Sequence, residues 1–251
     1  QSQYCLINLF DTISIKKNKK NVDKISFKGP YSNYVKKSNN SIEKILKIMR
    51  KLKLISDYYS IKVYKKIPVF AGLGGGSSNA ASLLKFLSKR KIEDKIFNKI
   101  VSHVGSDLRL FFYNQGVLQS LKKIVKLKKE YKLFFLVVYP NIKCSTKEVY
   151  SKVKNYNKKK VIKQNYQNKV ALINQILKLK NDLQSIVEKK YPVIQKLLLN
   201  ISNEKGCYFS RMTGSGSACY GLFRDNYSSK VALKRLRKKY PKFWFSIANT
   251  I

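Results

Sequence analysis

Three consecutive glycines, Gly74 to Gly76, followed by Ser77 and Ser78, interrupt an otherwise lysine-rich chain in the segment I-P-V-F-A-G-L-G-G-G-S-S-N-A-A-S-L-L-K-F-L at residues 67–87. Glycine admits positive φ and lets a ligand lie close to the backbone. Apolar residues at helical spacing follow at once (Ala80, Ala81, Leu83, Leu84, Leu87), so the loop opens a helix. The N–H groups at a helix start form a concave anion site, reinforced by a dipole worth about 0.3–1 kcal/mol. The predicted chemistry is binding of a di- or triphosphate by the amides of Leu73, Gly74, Gly75, Gly76, Ser77 and Ser78, with two serine hydroxyls as further donors. A second cluster, T-G-S-G-S at Thr213 to Ser217, supplies another set of accessible amides. Asp107, just after Gly105 and Ser106, offers a carboxylate able to accept a hydroxyl proton.

Two familiar phosphate loops are excluded. G-x-x-x-x-G-K-[ST] requires a lysine after its last glycine, whereas Ser-Ser-Asn follows Gly76. A dinucleotide fingerprint requires an acidic residue closing a second strand about 20 positions on, and Glu93 and Asp94 fall in a helical stretch instead. His103 is the only histidine, leaving little for a Ser-His-Asp triad or a histidine metal site, and no protein-held metal is expected. Four cysteines without C-x-x-C spacing argue against zinc or a disulfide framework and for a reducing, cytoplasmic setting.

The elements that must position these residues follow from periodicity. Residues 5–17 and 24–29 read as strands, the second a possible partner of the first, closed by a Gly29-Pro30 turn. A helix opens at Ser38 to Ser41 with Ile42, Ile45, Leu46 and Met49 on one face, and Tyr58 to Ile67 is a strand running into the glycine loop. A helix ends at Gly105; L-R-L-F-F-Y-N-Q-G-V-L-Q-S-L and L-F-F-L-V-V-Y read as strands. A helix begins at Ser145 or Thr146, residues 154–169 form a mobile lysine-rich connection, and helices cover Val170 to Leu179 and Val193 to Ile201. Strand, glycine loop, strand, helix and strand complete a chain of α+β class.

The full strings are more specific than their parts. P-V-F-A-G-L-G-G-G-S-S-N-A-A resembles the phosphate loop of the GHMP kinases, in the variant of the branch that acts on a cytidine-diphosphate sugar alcohol of non-mevalonate isoprenoid synthesis. V-G-S-D-L-R-L-F-F, Y-P-N-I-K-C-S-T-K-E-V-Y and R-M-T-G-S-G-S-A-C-Y-G-L-F resemble that branch's later motifs, in order. The resemblance implies a two-lobed fold, with a ribosomal protein S5 domain 2-like lobe at 1–139 and a ferredoxin-like lobe at 140–251. It implies ATP-dependent phosphorylation of a methylerythritol 2-hydroxyl, with ATP and Mg²⁺ as cofactors. Asp107 would be the base. Ala71 and Gly72 join Leu73 to Ser78 around ATP, and Asn40 takes an adenine-side position. Thr146 and Tyr150, the latter stacking on the cytosine ring, would bind substrate with Thr213, Gly214, Ser215 and Gly216.

Arg109 stands where the family has a proline. The family's opening strand, whose lysine pairs with the catalytic aspartate, and its G-Y-H segment find no match from Gln1 onward. The chain is therefore expected to be N-terminally incomplete, and these 251 residues alone to phosphorylate poorly. The competing readings are another GHMP kinase, of homoserine or mevalonate type, and a basic nucleic-acid-binding protein. The small-molecule partner is a cytidine diphosphate, with neither a specific nucleic acid nor a membrane expected, in a monomer or homodimer.

A net charge of +40 suggests nucleic acid, but the 53 basic residues are spread over almost every segment rather than gathered on one face. DNA binding is expected to be weak, indifferent to sequence, and lost with salt at a log–log slope of about −0.9 per neutralised phosphate. Fluorescence anisotropy at low and moderate salt checks this. Tight, sequence-selective binding that survives moderate salt would return the nucleic-acid reading to first place.

Overall fold

The computed structural model describes residues 2–88, 92–121, 123–153 and 165–251. Alternating apolar residues build the first sheet. Strands β2 (Thr12–Asn18), β3 (Lys24–Lys28) and β4 (Tyr58–Tyr64) assemble in the order β2-β4-β3, with β2 antiparallel and β3 parallel to β4. Ile13 and Ile15 face Val63 and Ile61 across the β2–β4 ladder, and Ile25 meets Ile61 from the other side. Helices α1 (Ser41–Lys51), α2 (Gly75–Leu87) and α3 (Asp94–Val104) pack against this apolar layer. Ile42, Ile45 and Met49 of α1 are fully buried there, and the small Ala80 and Ala81 let α2 come close. The expected pairing of residues 24–29 with 5–17 is corrected: β4 lies between them, and the parallel β3–β4 pair uses α1 as its crossover.

The 5–17 stretch itself divides. Strand β1 (Ser2–Cys5) joins β5 (Gln115–Ser120) and β6 (Lys123–Lys126) in an antiparallel sheet of order β1-β5-β6, while Asp11 lies just before β2. L-R-L-F-F is not a strand. It belongs to a 3₁₀ segment, Ser106–Phe112, whose Leu108 is buried while Phe111 and Phe112 pack against the first core.

Strand β7 (Phe134–Tyr139) anchors the last sheet, with β8 (Cys207–Met212), β9 (Cys219–Phe223) and β10 (Trp244–Asn249) in the antiparallel order β10-β7-β9-β8. With α7 (Pro192–Ser202) and α8 (Asn226–Lys239) as its crossovers, this is the β-α-β-β-α-β arrangement of ferredoxin-like folds. Strand β7 is apolar on both faces for a reason. Leu136 and Val138 pack against α7 and α8, while Phe135, Val137 and Tyr139 join Val117, Leu133 and Ala71 in a core shared with the first half of the chain. Its ladder places β7 in the C-terminal sheet. Helices α4 (Thr146–Ser151) and α5 (Lys169–Leu177) match the expectation, whereas α6 (Gln184–Lys190) was not anticipated. Of the lysine-rich connection, residues 154–164 lie outside the described residues. No helix among the described residues is long and apolar enough to cross a membrane.

Candidate active site

Helix α2 starts without a side-chain cap. Gly74 is its N-cap in the left-handed region at φ +68, and the Ser78 N–H closes the first turn onto the Gly74 carbonyl at 2.9 Å. The Ser78 amide is thereby spent, which narrows the expected Leu73–Ser78 donor set. The amides of Gly74, Gly75, Gly76 and Ser77 are the ones that the helix itself cannot satisfy. The backbone before them is tightly bent: Phe70 holds φ +63 and Gly72 φ +71. For phenylalanine that is a strained conformation, of the kind that surrounding structure must enforce.

The second glycine loop lies directly against the first. The Ala218 N–H donates to the Ala71 carbonyl at 3.1 Å and the Thr213 hydroxyl to the Gly72 carbonyl at 3.2 Å. Asn181 secures the far side, donating to the carbonyls of Met212 at 2.9 Å and Gly214 at 2.8 Å. Ser215, itself buried, shares a 2.9 Å hydrogen bond with the Thr146 hydroxyl at the start of α4. Tyr150, four residues on and thus one turn along the same helix, is half exposed. Thr146, Thr213, Gly214, Ser215 and Gly216 are thus brought together, with Ala71 and Gly72 beside them.

The segment carrying Asp107 packs on the loop. A side chain at Gly74 would meet the Phe111 ring at 2.8 Å, and the Lys85 ammonium of α2 donates to the Phe111 carbonyl at 2.6 Å while lying over the Phe112 ring. Burial lowers the Lys85 pKa. Asp107 is solvent-exposed as a residue, yet the surrounding protein desolvates its carboxyl and raises its pKa, with the Ser106 hydrogen bond pulling weakly the other way. Arg109 turns towards α3, where it donates to Asn98 and stacks over Phe97 at 5.2 Å.

Two family models match this chain, "GHMP kinases N terminal domain" over residues 33–109 and "GHMP kinases C terminal" over 161–242. A Pelagibacter ubique protein named 4-diphosphocytidyl-2-C-methyl-D-erythritol kinase is 34% identical over 256 residues, covering 100% of this chain and 90% of that protein. The chain belongs to the GHMP kinases. A similarly named Prochlorococcus marinus protein (strain AS9601) is 33% identical over 78% of this chain and 69% of its own length. In fold, the kinase resembles a crystal structure of 4-(cytidine 5'-diphospho)-2C-methyl-D-erythritol kinase, with a TM-score of 0.69 at 21% identity over 95% of this chain and 85% of that one. It also resembles the homoserine kinase of Cytophaga hutchinsonii, with a TM-score of 0.66 at 14% identity over 96% and 85%. As a GHMP kinase it is an ATP-dependent small-molecule kinase.

Several features of this GHMP kinase were not anticipated. Tyr31, Tyr34, Val69, Tyr139, Asn141 and Lys143 line an open cavity that borders the loop entrance through Val69. Tyr31 and Tyr34 are tilted 36° to each other and the Lys143 ammonium lies 4.4 Å from the Tyr34 ring centre, while burial pushes the Tyr139 pKa up to about 12. The P-Y-S-N-Y spacing was the available signal. Asn40 is the N-cap of α1, accepting from the Glu43 N–H at 3.0 Å and donating to the Lys36 carbonyl at 3.4 Å. Its adenine-side role thus rests on the resemblance alone.

Positive φ in this loop belongs to Gly72 and Gly74, whereas a side chain at Gly75 would press on Ile67 and the Lys65 ammonium at 3.3–3.4 Å. Gly74→Val combines a forbidden φ with the Phe111 collision, so it is expected to abolish binding of an ATP analogue while the far sheet stays folded. Calorimetric titration with circular dichroism checks this; unchanged affinity would make the loop a structural turn only.

Proposed function

We propose that this kinase transfers the γ-phosphoryl group of ATP to the 2-hydroxyl of the methylerythritol moiety of 4-diphosphocytidyl-2-C-methyl-D-erythritol, in non-mevalonate isoprenoid synthesis. The observation that carries the reading is the clasp of the two glycine loops, which sets Ser215 on Thr146, with half-exposed Tyr150 one turn further along α4. The 34% identity to a kinase of that name over the whole chain supports the same substrate. Homoserine and mevalonate kinases share the fold, so the fold does not select among these acceptors.

The triphosphate lies on the amides of Gly74–Ser77, where the helix dipole and the Ser77 hydroxyl stabilise its charge. The adenine occupies the tyrosine-lined cavity beside Val69, where Tyr31 and Tyr34 offer aromatic faces. The cytosine stacks on Tyr150, a contact worth about 1–3 kcal/mol by analogy with single-stranded nucleic-acid proteins. The 2-hydroxyl oxygen bonds to the γ-phosphorus as the bond to the β,γ-bridging oxygen breaks. Asp107 takes the hydroxyl proton, and ADP leaves. Mg²⁺ keeps several waters and is held largely by the substrate phosphates themselves, and the Ser77 and Ser78 hydroxyls at the start of α2 are the hard oxygen donors that would complete its shell. Bound there, the ion would neutralise charge on the transferred phosphoryl group. All four cysteines are unpaired, and we place the enzyme in the reducing cytoplasm.

ADP release by the full-length protein, measured with 4-diphosphocytidyl-2-C-methyl-D-erythritol, mevalonate and homoserine in parallel, tests the substrate. Turnover of the first alone is expected, and turnover of either other acid alone would overturn the reading. Asp107→Asn is expected to lower kcat by about 10²–10⁴-fold.

The stability of that variant follows from the direction of the Asp107 shift. An acid whose folded pKa is raised is ionised at a cost that is present above that pKa and vanishes as the pH falls through it. Contact with water keeps this cost small. The Tm of Asp107→Asn at neutral pH should therefore equal or slightly exceed that of the parent. In the parent, the acid limb of kcat/KM should lie above the ordinary aspartate value of about 3.9. Near-normal turnover in the variant would remove Asp107 from the mechanism.

A further inference from the structure

Beneath the nucleotide loop lies a buried charge that the mechanism does not use. The Asp11 side chain is 0% exposed and that of its partner Lys65 is 4% exposed. Four donors converge on this carboxylate. The Lys65 ammonium and the Asn79 amide, at 2.9 Å, reach Oδ2, while the backbone N–H groups of Lys66 at 2.8 Å and Ile67 at 2.9 Å reach Oδ1. Three of the donors belong to the chain immediately before the glycine loop, residues 65–67. The fourth, Asn79, lies on α2 just past its first turn. One carboxylate thus holds both ends of the loop.

Lysine carries no requirement to be here for stability. A buried ion pair is commonly matched or surpassed by apolar side chains of similar volume, so its retention is weak evidence for a stabilising role. What apolar side chains cannot do is accept three directed N–H bonds from two separate segments. Placement favours the same reading. The Lys65 ammonium is 3.4 Å from where a side chain at Gly75 would begin, directly under the first helical residue. A cation at a helix N-terminus opposes the dipole, and the adjacent Asp11 charge offsets it, leaving the amides above to attract an anion.

We propose that Asp11, acting through Asn79 and Lys65, is the positioning group of the nucleotide loop: it sets the opening between Ile67 and α2 into which the phosphates fit. The ligand in this statement rests on the kinase reading above; the geometry of the staple does not. Neither Asp11 nor Asn79 needs to touch the nucleotide.

The test separates a positioning role from mere stability. Asn79→Ala cuts the strap to α2 while leaving the Asp11–Lys65 pair neutral as a unit. It is expected to raise the KM for ATP roughly tenfold, the loss of one charge-assisted hydrogen bond, with kcat at saturating ATP unchanged within threefold. A merely structural role would instead lower Tm and the active fraction at constant KM. The double variant Asp11→Asn/Lys65→Met removes both buried charges together, so it leaves no orphan charge to unfold the protein. It too should weaken ATP binding by tenfold or more. Hydrogen exchange of residues 67–80 in the ligand-free protein supplies a readout independent of ATP. Protection in the parent and faster exchange in Asn79→Ala support the staple even if the parent binds no nucleotide, an outcome that would count against the kinase reading alone. Parental KM and parental exchange in Asn79→Ala would overturn the proposal.

Discussion

The site depends on two stretches of backbone being allowed to touch. A side chain on Gly72 would begin 2.5 Å from the Thr213 carbonyl oxygen, closer than real side chains come, and 3.1 Å from the Gly216 nitrogen. Because residue 72 has none, the loop that opens α2 and the loop between β8 and β9 exchange hydrogen bonds through Ala71, Gly72, Thr213 and Ala218. Each bond contributes only about 0.5–1.5 kcal/mol net. Their effect is geometric: a helix start from the first half of the chain and a hairpin from the second form one wall, and Ser215 extends that wall to Thr146.

Positional control continues outward from that contact. The 3₁₀ segment bearing Asp107 is set by Phe111 against Gly74 and by Lys85 on the Phe111 carbonyl, so the proposed base and the amides proposed for the phosphates are referred to the same helix. Strand β7 brings the C-terminal sheet to the loop by burying both of its faces. The net charge of +40 adds a long-range field that draws anionic ligands towards any cleft without choosing between them. In the proposed mechanism, selection is left to short-range contacts with the amides, the tyrosine rings and Asp107.

Much of this was legible in the sequence where one segment carries its own instruction. Ile42, Ile45, Leu46 and Met49 declare the buried face of α1 by spacing alone, and the Gly-Gly-Gly-Ser-Ser run declares an open helix start. Failures occurred where the deciding partner is distant. L-R-L-F-F alternates like a strand, yet Phe111 and Phe112 are called into a 3₁₀ turn by packing on α2 and α3. The parallel pairing of β3 with β4 depends on the α1 crossover, which pattern cannot order in space. Asp11 is the clearest case. Its partner Lys65 is 54 residues away, and the only local hint was an acid set among apolar neighbours in a chain with 13 acidic residues.

The central claim is that the backbone at the start of α2 holds the nucleotide phosphates while the clasped hairpin faces the second substrate. Amide-resolved NMR of the labelled protein tests it most directly, by titration first with magnesium and a non-hydrolysable ATP analogue and then with 4-diphosphocytidyl-2-C-methyl-D-erythritol. The account predicts that the amides of Gly74, Gly75, Gly76 and Ser77 shift in the first titration, and those of Gly214 to Gly216 with Tyr150 in the second. Saturable nucleotide binding that leaves Gly74–Ser77 unmoved would contradict it.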